Sequence, residues 1–281
     1  MAYNRLEVCY LYPMICFPNG KINLGLRVVS KRPDGFHNIE TLFYPVPIRD
    51  VLEFLPADTF QLNVSGLPID IEKENNLIYK TWVLLHNKYK IPPLQVHLHK
   101  TIPPGSGLGG GSANVAFFIK ATNTYFELGL NKSKMKKLAG QLGSDCPFFI
   151  ENKAAFASGK GEVLQTANIS LKGKYLLIIK PKIQVSTQKA YSIIRAEKPE
   201  IRLSEIISKP IDQWKNILLN DFEKPIFKLH PEIGNLKNNM YSIGAAYASM
   251  TGSGSAVFGI FENKPILKNI NPNNYFWAGK L

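Results

Sequence analysis

The chain has 281 residues and is 45% hydrophobic, enough apolar material to bury a core in one large or two modest domains. Its formal charge is +13, yet the basic residues are scattered; only residues 132–137 approach a cluster, which suits a solvated helix face better than a nucleic-acid surface. No apolar run is long enough to span a bilayer, and Cys9, Cys16 and Cys146 form no C-x-x-C pair, which argues against a disulfide scaffold and for a reducing compartment.

In chain order, residues 8–12 read as a strand. The apolar stretch 8–17 is interrupted by Pro13, lacks a small-residue cleavage site and leads into Lys21, so it is not read as a signal peptide. Further strands are expected at 22–30, 36–46, 51–54, 60–64 and 94–100, with Arg32-Pro33-Asp34-Gly35 as a turn. Strand 94–100 alternates Leu94, Val96 and Leu98 with Gln95, His97 and His99, which gives it one wet face. His97 and His99 share that face, but no carboxylate or cysteine stands at ligand spacing, so they are not read as a metal site.

Helices are expected at 75–90 and 112–128, the second with Val115, Phe118, Ile119, Thr122 and Phe126 as its apolar stripe, and another ends near Leu142. Beyond residue 162 come a strand at 175–180, helices at 187–195, 203–208, 221–228 and 231–240, and strands at 245–250 and 256–261. Asn220 followed by Glu223 has the spacing of a capping box, so those two residues are expected to start a helix. The pattern is α+β, with a boundary expected near residue 167 that gives domains 1–167 and 168–281.

The stretch Pro103-Pro104-Gly105-Ser106-Gly107-Leu108-Gly109-Gly110-Gly111-Ser112-Ala113-Asn114 carries the chemistry. Five of the seven residues from Gly105 to Gly111 are glycine, an entropic cost that a plain connection would not justify. Ahead of a helix, such a stretch can turn several N–H groups and a helix N-terminus toward one anion. A Walker A loop fits the spacing, but Gly111 occupies the position of its lysine. A dinucleotide fingerprint fits Gly105, Gly107 and Gly110, although its first strand should be apolar on both faces; that reading stays open as an alternative.

A third pattern, P-x-x-x-G-L-G, is met by Pro103, Gly107, Leu108 and Gly109, and resembles the galactokinase, homoserine kinase, mevalonate kinase and phosphomevalonate kinase (GHMP) superfamily. Other segments resemble the 4-diphosphocytidyl-2-C-methyl-D-erythritol kinase family within it. They are Lys21-Ile22-Asn23-Leu24-Gly25, Asp34-Gly35-Phe36-His37, Gly143-Ser144-Asp145-Cys146-Pro147, Asn220-Asp221-Phe222-Glu223 and Thr251-Gly252-Ser253-Gly254. The resemblance implies a two-domain GHMP kinase-like fold, ribosomal protein S5 domain 2-like at the N-terminus and ferredoxin-like at the C-terminus.

The activity it implies is ATP-dependent phosphorylation of the 2-hydroxyl of 4-diphosphocytidyl-2-C-methyl-D-erythritol, in the non-mevalonate route to isoprenoid precursors. On that resemblance, the residues from Pro103 to Ala113 bind ATP, with Mg2+ carried on the nucleotide, and the transfer is direct. Asp145 accepts the alcohol proton or positions the hydroxyl, and Lys21 is its partner. Asn23, Gly252 and Ser253 contact the alcohol or its phosphates, while Phe36, His37 and Tyr191 hold the cytidine head. Two departures from the family pattern stand out: Gly110 and Gly111 replace serines that can follow G-L-G, and Phe36 stands where tyrosine is usual. The expected partner is a small molecule, with no nucleic acid and no membrane, and the expected location is cytoplasmic. Another kinase of the superfamily and a nucleic-acid-binding protein remain as rival readings.

Overall fold

The structure is a computed structural model that describes residues 12–69, 71–267 and 271–281. Residues 8–11 of the first expected strand, Cys9 among them, lie outside the described residues. The chain begins with β1 (Met14–Cys16), β2 (Asn19–Lys31), β3 (His37–Arg49), β4 (Val51–Pro56) and β5 (Gln61–Gly66). It continues through α1 (Leu77–Tyr89), β6 (Leu94–Lys100), α2 (Gly110–Tyr125), α3 (Lys132–Gly140) and α4 (Cys146–Glu151). Next come β7 (Ala155–Ser158), β8 (Val163–Thr166), β9 (Tyr175–Lys180), α5 (Thr187–Ile193) and α6 (Leu203–Ile207). The remaining elements are α7 (Glu223–Leu229), α8 (Pro231–Ser242), β10 (Tyr247–Met250), β11 (Val257–Phe261) and β12 (Tyr275–Lys280).

Two compact units form. The first contains the described residues up to Asn19 with Arg49–Ile102 and Gly110–Asn152, and the second contains Gly20–Ile48, Pro103–Gly109 and Lys153–Leu281. In the first unit the strand order is β1-β4-β6-β5. β4 is antiparallel to β1 and β6, whereas β5 runs parallel to β6, and α1 makes the crossover a parallel pair needs. A largely antiparallel sheet is not the doubly wound parallel sheet of a dinucleotide fold, which removes that alternative.

The wet face expected of β6 is present: Leu94, Val96 and Leu98 are buried and Gln95, His97 and His99 exposed. His97 Nε2 and His99 Nδ1 both hydrogen-bond with Ser65 Oγ, at 2.8 and 2.9 Å. On the other face Leu52, Phe54 and Val96 are buried, as are Leu85 of α1 and Phe118 and Ile119 of α2, with the Phe54 and Phe118 rings edge-on at 5.3 Å. α1 starts where the Asn76 side chain accepts from Ile78 N, and it stops at Lys90, which is left-handed (φ 57°). α2 begins two residues earlier than the sequence pattern suggests and ends at Tyr125, because Glu127 takes a positive φ of 50°.

The second unit carries two sheets, ordered β2-β3-β7-β8 and β10-β11-β9-β12. Leu26 and Val28 of β2 and Ile39 of β3 share one buried cluster with Leu177, Ile179, Phe222, Met250 and Val257, so residues early in the chain complete a core built mostly by later ones. The edge strand β12 was not expected from the sequence; it pairs antiparallel with β9 along its whole length. α8 opens on Pro231, whose fixed φ suits a first helical position, and packs against β10 and β11. Among the described residues no helix is long and apolar enough to cross a membrane.

Candidate active site

β2 presents Lys21 and Asn23 two residues apart, hence on one face of the strand, and both are buried. Lys21 Nζ donates to Asn23 Oδ1 at 2.6 Å and lies 4.8 Å from the centroid of the Phe43 ring on β3. The Lys21 backbone N–H donates to Leu108 O at 2.8 Å, which ties the strand to the glycine-rich stretch. Asn23 Nδ2 donates to Thr41 Oγ1 at 3.0 Å, and Asn23 N donates to Thr251 Oγ1 at 3.1 Å. The Thr251 hydroxyl has Asn23 Oδ1 at 3.2 Å and Gly107 O at 3.3 Å as acceptors for its single proton.

The glycine-rich stretch meets a second glycine turn backbone to backbone. Gly105, Gly107 and Gly109 have φ of 65°, 84° and 73°, alternating along the chain in the way that gathers N–H groups into an anion-binding concavity. A Cβ on Gly107 would overlap the Thr251 carbonyl, and one on Gly254 would lie 2.5 to 2.7 Å from backbone atoms of Ser106, Gly107 and Gly105. Ser106 is buried, and its Oγ accepts from Leu108 N at 3.3 Å, which stiffens the bend. Gly252 takes φ 58°, and the half-buried Ser253 donates to Thr187 Oγ1 at 3.1 Å.

An aromatic group lies elsewhere in the same unit. The His37 ring stacks on Tyr191 with centroids 5.0 Å apart and planes at 25°, and Tyr191 meets Phe222 edge-on at 4.8 Å. Burial, and then the nearby Lys31 charge, lower the His37 pKa from 6.5, which favours a neutral ring able to both donate and accept. Phe36 is 57% exposed, with Lys160 Nζ 4.6 Å from its ring centroid.

Of the remaining residues named from the sequence, Asp145 and the four from Gly110 to Ala113 belong to the first unit. Asp145 immediately precedes α4 with φ −82° and ψ −15°, and its carboxylate does not cap the helix, so the simple capping role is not what this side chain performs. Pro147 lies inside the first turn of α4 rather than on a loop. Ser112 lies in the first turn of α2; burial pushes the Cys146 thiol up to about 12, and the Ser112 hydroxyl opposes that shift. Ala113 is fully buried. The stretch 103–113 is therefore divided, with Pro103–Gly109 in the second unit and Gly110, Gly111, Ser112 and Ala113 in the first; Lys21 and Asp145 are likewise in different units.

Sequence reasoning missed two sets of buried polar residues and misread a third. Thr251 was passed over in favour of its neighbours Gly252 and Ser253; its signal is a hydroxyl at the junction of the apolar β10 with a glycine turn. In the first unit Asp50 Oδ1 accepts from Thr101 N and Ile102 N, each at 2.8 Å, and Asp50 Oδ2 accepts from Asn114 Nδ2 at 2.9 Å and pairs with Lys100. Burial lowers the Lys100 pKa although Asp50 opposes the shift. Asn220 and Glu223 form the third set, and the capping-box expectation fails for them: α7 starts at Glu223 with Phe222 as its N-cap and no side-chain cap bond.

The chain matches the family described as GHMP kinases N terminal domain over residues 76–153 and GHMP kinases C terminal over residues 203–270. These matches, with the two-unit α+β fold and the paired glycine turns, define a GHMP kinase, a small-molecule phosphotransferase. It is 47% identical over 95% of its length to the whole of a Parabacteroides distasonis protein named 4-diphosphocytidyl-2-C-methyl-D-erythritol kinase. A Bacteroides fragilis protein of the same name is 48% identical over 89% of this chain and 92% of its own. A crystal structure of 4-(cytidine 5'-diphospho)-2C-methyl-D-erythritol kinase superposes with a TM-score of 0.77 at 30% identity, covering 89% of this chain and 91% of that one. The chain belongs to the 4-diphosphocytidyl-2-C-methyl-D-erythritol kinase family.

Proposed function

We propose that the protein transfers the γ-phosphoryl group of ATP to the 2-hydroxyl of 4-diphosphocytidyl-2-C-methyl-D-erythritol. The observation that carries this reading is the 47% identity over 95% of the chain to a kinase named for that alcohol. Phosphoryl transfer needs little covalent chemistry from the protein; it needs an in-line hydroxyl and donors matched to the charge on the transferring oxygens. The positive φ of Gly105, Gly107 and Gly109 is the backbone conformation that lets neighbouring N–H groups turn toward one anion, and residues 103–113 are assigned to the nucleotide. Magnesium belongs on the nucleotide phosphates, whose oxygens meet its oxygen-rich coordination preference, and no side-chain ligand is assigned to it.

Lys21 supplies a buried cation and Asn23 orients the alcohol, the two already linked by a 2.6 Å hydrogen bond. Asp145 takes the hydroxyl proton as the oxygen attacks phosphorus, or holds that hydroxyl in line, and the bond from the γ-phosphorus to the bridging oxygen breaks to release ADP. His37 and Tyr191, already stacked, with Phe36 nearby in sequence, are assigned to the cytidine head, and Gly252 and Ser253 to the substrate's phosphates. The family-level division near residue 167 and a cytoplasmic location, where ATP is at hand, complete the proposal. The test is a coupled ADP-release assay with the diphosphocytidyl alcohol, mevalonate and homoserine side by side. Turnover confined to the first is expected; turnover of either other alcohol alone, or salt-sensitive RNA binding without phosphoryl transfer, would overturn the reading.

A further inference from the structure

Asn220 and Glu223 have the letters of a helix cap, but their side chains are bonded to a turn some thirty residues later in the chain. The backbone around Asn220 lies along β2: Leu26 N donates to Leu219 O at 2.9 Å and Asp221 N donates to Leu26 O at 2.8 Å. Asp221 Oδ2 also accepts from Val28 N at 2.7 Å. Asn220 is thus fixed to the strand that carries Lys21 and Asn23. Its buried Nδ2 donates to Met250 O at 3.0 Å and to Gly252 O at 2.9 Å, while its Oδ1 accepts from Phe222 N at 3.0 Å.

Glu223 grips the same turn from its other side. Its Oε1 accepts from Met250 N at 2.9 Å and Ser249 Oγ at 3.0 Å, and its Oε2 pairs with Lys237 Nζ at 2.6 Å. Met250 is therefore held at both its N–H and its C=O, and Gly252 at its C=O. The backbone of Thr251, between them, is held where its hydroxyl reaches Asn23 Oδ1 and Gly107 O. An amide is the side chain this place requires: two protons on one nitrogen meet two carbonyls, and the oxygen at the other end meets an N–H.

We propose that Asn220, supported by Glu223, is a positioning residue for phosphoryl transfer, setting the Thr251–Gly252 turn against the phosphate loop at Gly107 and against Asn23 beside Lys21. The inference rests on the reading of those residues as phosphate and alcohol contacts. It predicts a loss in rate more than in binding, because an in-line transfer is sensitive to displacements on the order of 1 Å, which can cost about a hundredfold.

The experiment compares Asn220→Asp and Ser249→Ala with the parent in steady-state kinetics on ATP and the diphosphocytidyl alcohol, well below the melting temperature found by circular dichroism. Asn220→Asp keeps the acceptor but sets a carboxylate against two carbonyls. Its kcat is expected to fall about thirtyfold to a hundredfold, with both KM values within about threefold of the parent. Ser249→Ala, which removes one bond to Glu223, should lower kcat about threefold in the same pattern. A folded Asn220→Asp with parental kcat, or a loss lying wholly in KM, overturns the inference. Should Asn220→Asp not fold, parental kcat in Ser249→Ala overturns it alone. A parent inactive on the alcohol overturns the functional reading and this inference with it, whereas an active parent matched by the variants overturns the positioning role only.

Discussion

Among the described residues, one buried polar network brackets the glycine-rich stretch in sequence and another reaches Gly107 within it, and the two are built differently. In the first unit, Asp50 accepts three neutral donors and pairs with Lys100, so opposite charges cancel inside a closed set of bonds. In the second, Asn23, Thr41 and Thr251 are joined by hydrogen bonds between neutral groups, and Lys21 enters through Asn23 Oδ1. A closed ion pair serves its own neighbours: it fixes the backbone N–H groups of Thr101 and Ile102 just before the glycines and the side-chain amide of Asn114 just after. The Lys21 ammonium is the group that the proposed function sets against the charge of an incoming phosphate. The first network is suited to architecture and the second to chemistry.

The strongest way to break that contrast is to remove the charges assigned to transfer. Lys21→Ala and Asp145→Asn should each lower kcat by about a hundredfold to ten-thousandfold while ATP affinity, measured by calorimetry, stays within a few fold. Asp50→Ala should act on stability, costing about 3–5 kcal/mol in urea unfolding because it leaves the buried Lys100 ammonium without its counter-charge, with only Asn114 Oδ1 to accept from it. The pair Asp50→Leu with Lys100→Met should recover much of that loss, which a double-mutant cycle would read. If Asp50→Ala instead spared the unfolding midpoint and reduced kcat, the division of labour would be wrong.

Smaller effects sharpen the picture. Thr251→Val, which keeps the shape and removes the hydroxyl, should lower kcat about tenfold with little change in melting temperature. The pH dependence of His37 should be smaller still. Its folded pKa is lowered, so its contribution to stability is complete above the ordinary value of 6.5 and is lost as pH falls through the lowered folded value. In parallel, KM for the cytidylyl alcohol should rise a few fold as the ring becomes charged. A profile equally steep in His37→Gln would exclude His37 as the origin.

What the sequence disclosed follows from how local each signal is. The glycine stretch is legible because its chemistry is written in consecutive letters, and β6 is legible because burial alternates with a period of two. Asn220 was misread because a capping box and a tertiary brace use the same letters, and the partners that distinguish them, Met250 and Gly252, are thirty residues away. β12 escaped notice because Tyr275, Trp277 and Gly279 are only partly covered, which leaves a weak apolar alternation at a sheet edge. The joining of residues 20–48 to the later core could not be read from chain order at all, since it depends on Leu26, Val28 and Ile39 finding partners beyond residue 170.

One close approach bears on inhibition. At Gly107 the positive φ and the neighbouring Thr251 carbonyl leave no room for any side chain. A compound that draws its affinity from the Gly107 backbone would therefore press on a position with no mutational escape. Saturation mutagenesis there, under selection with such a compound, should return glycine alone and push resistance to other sites.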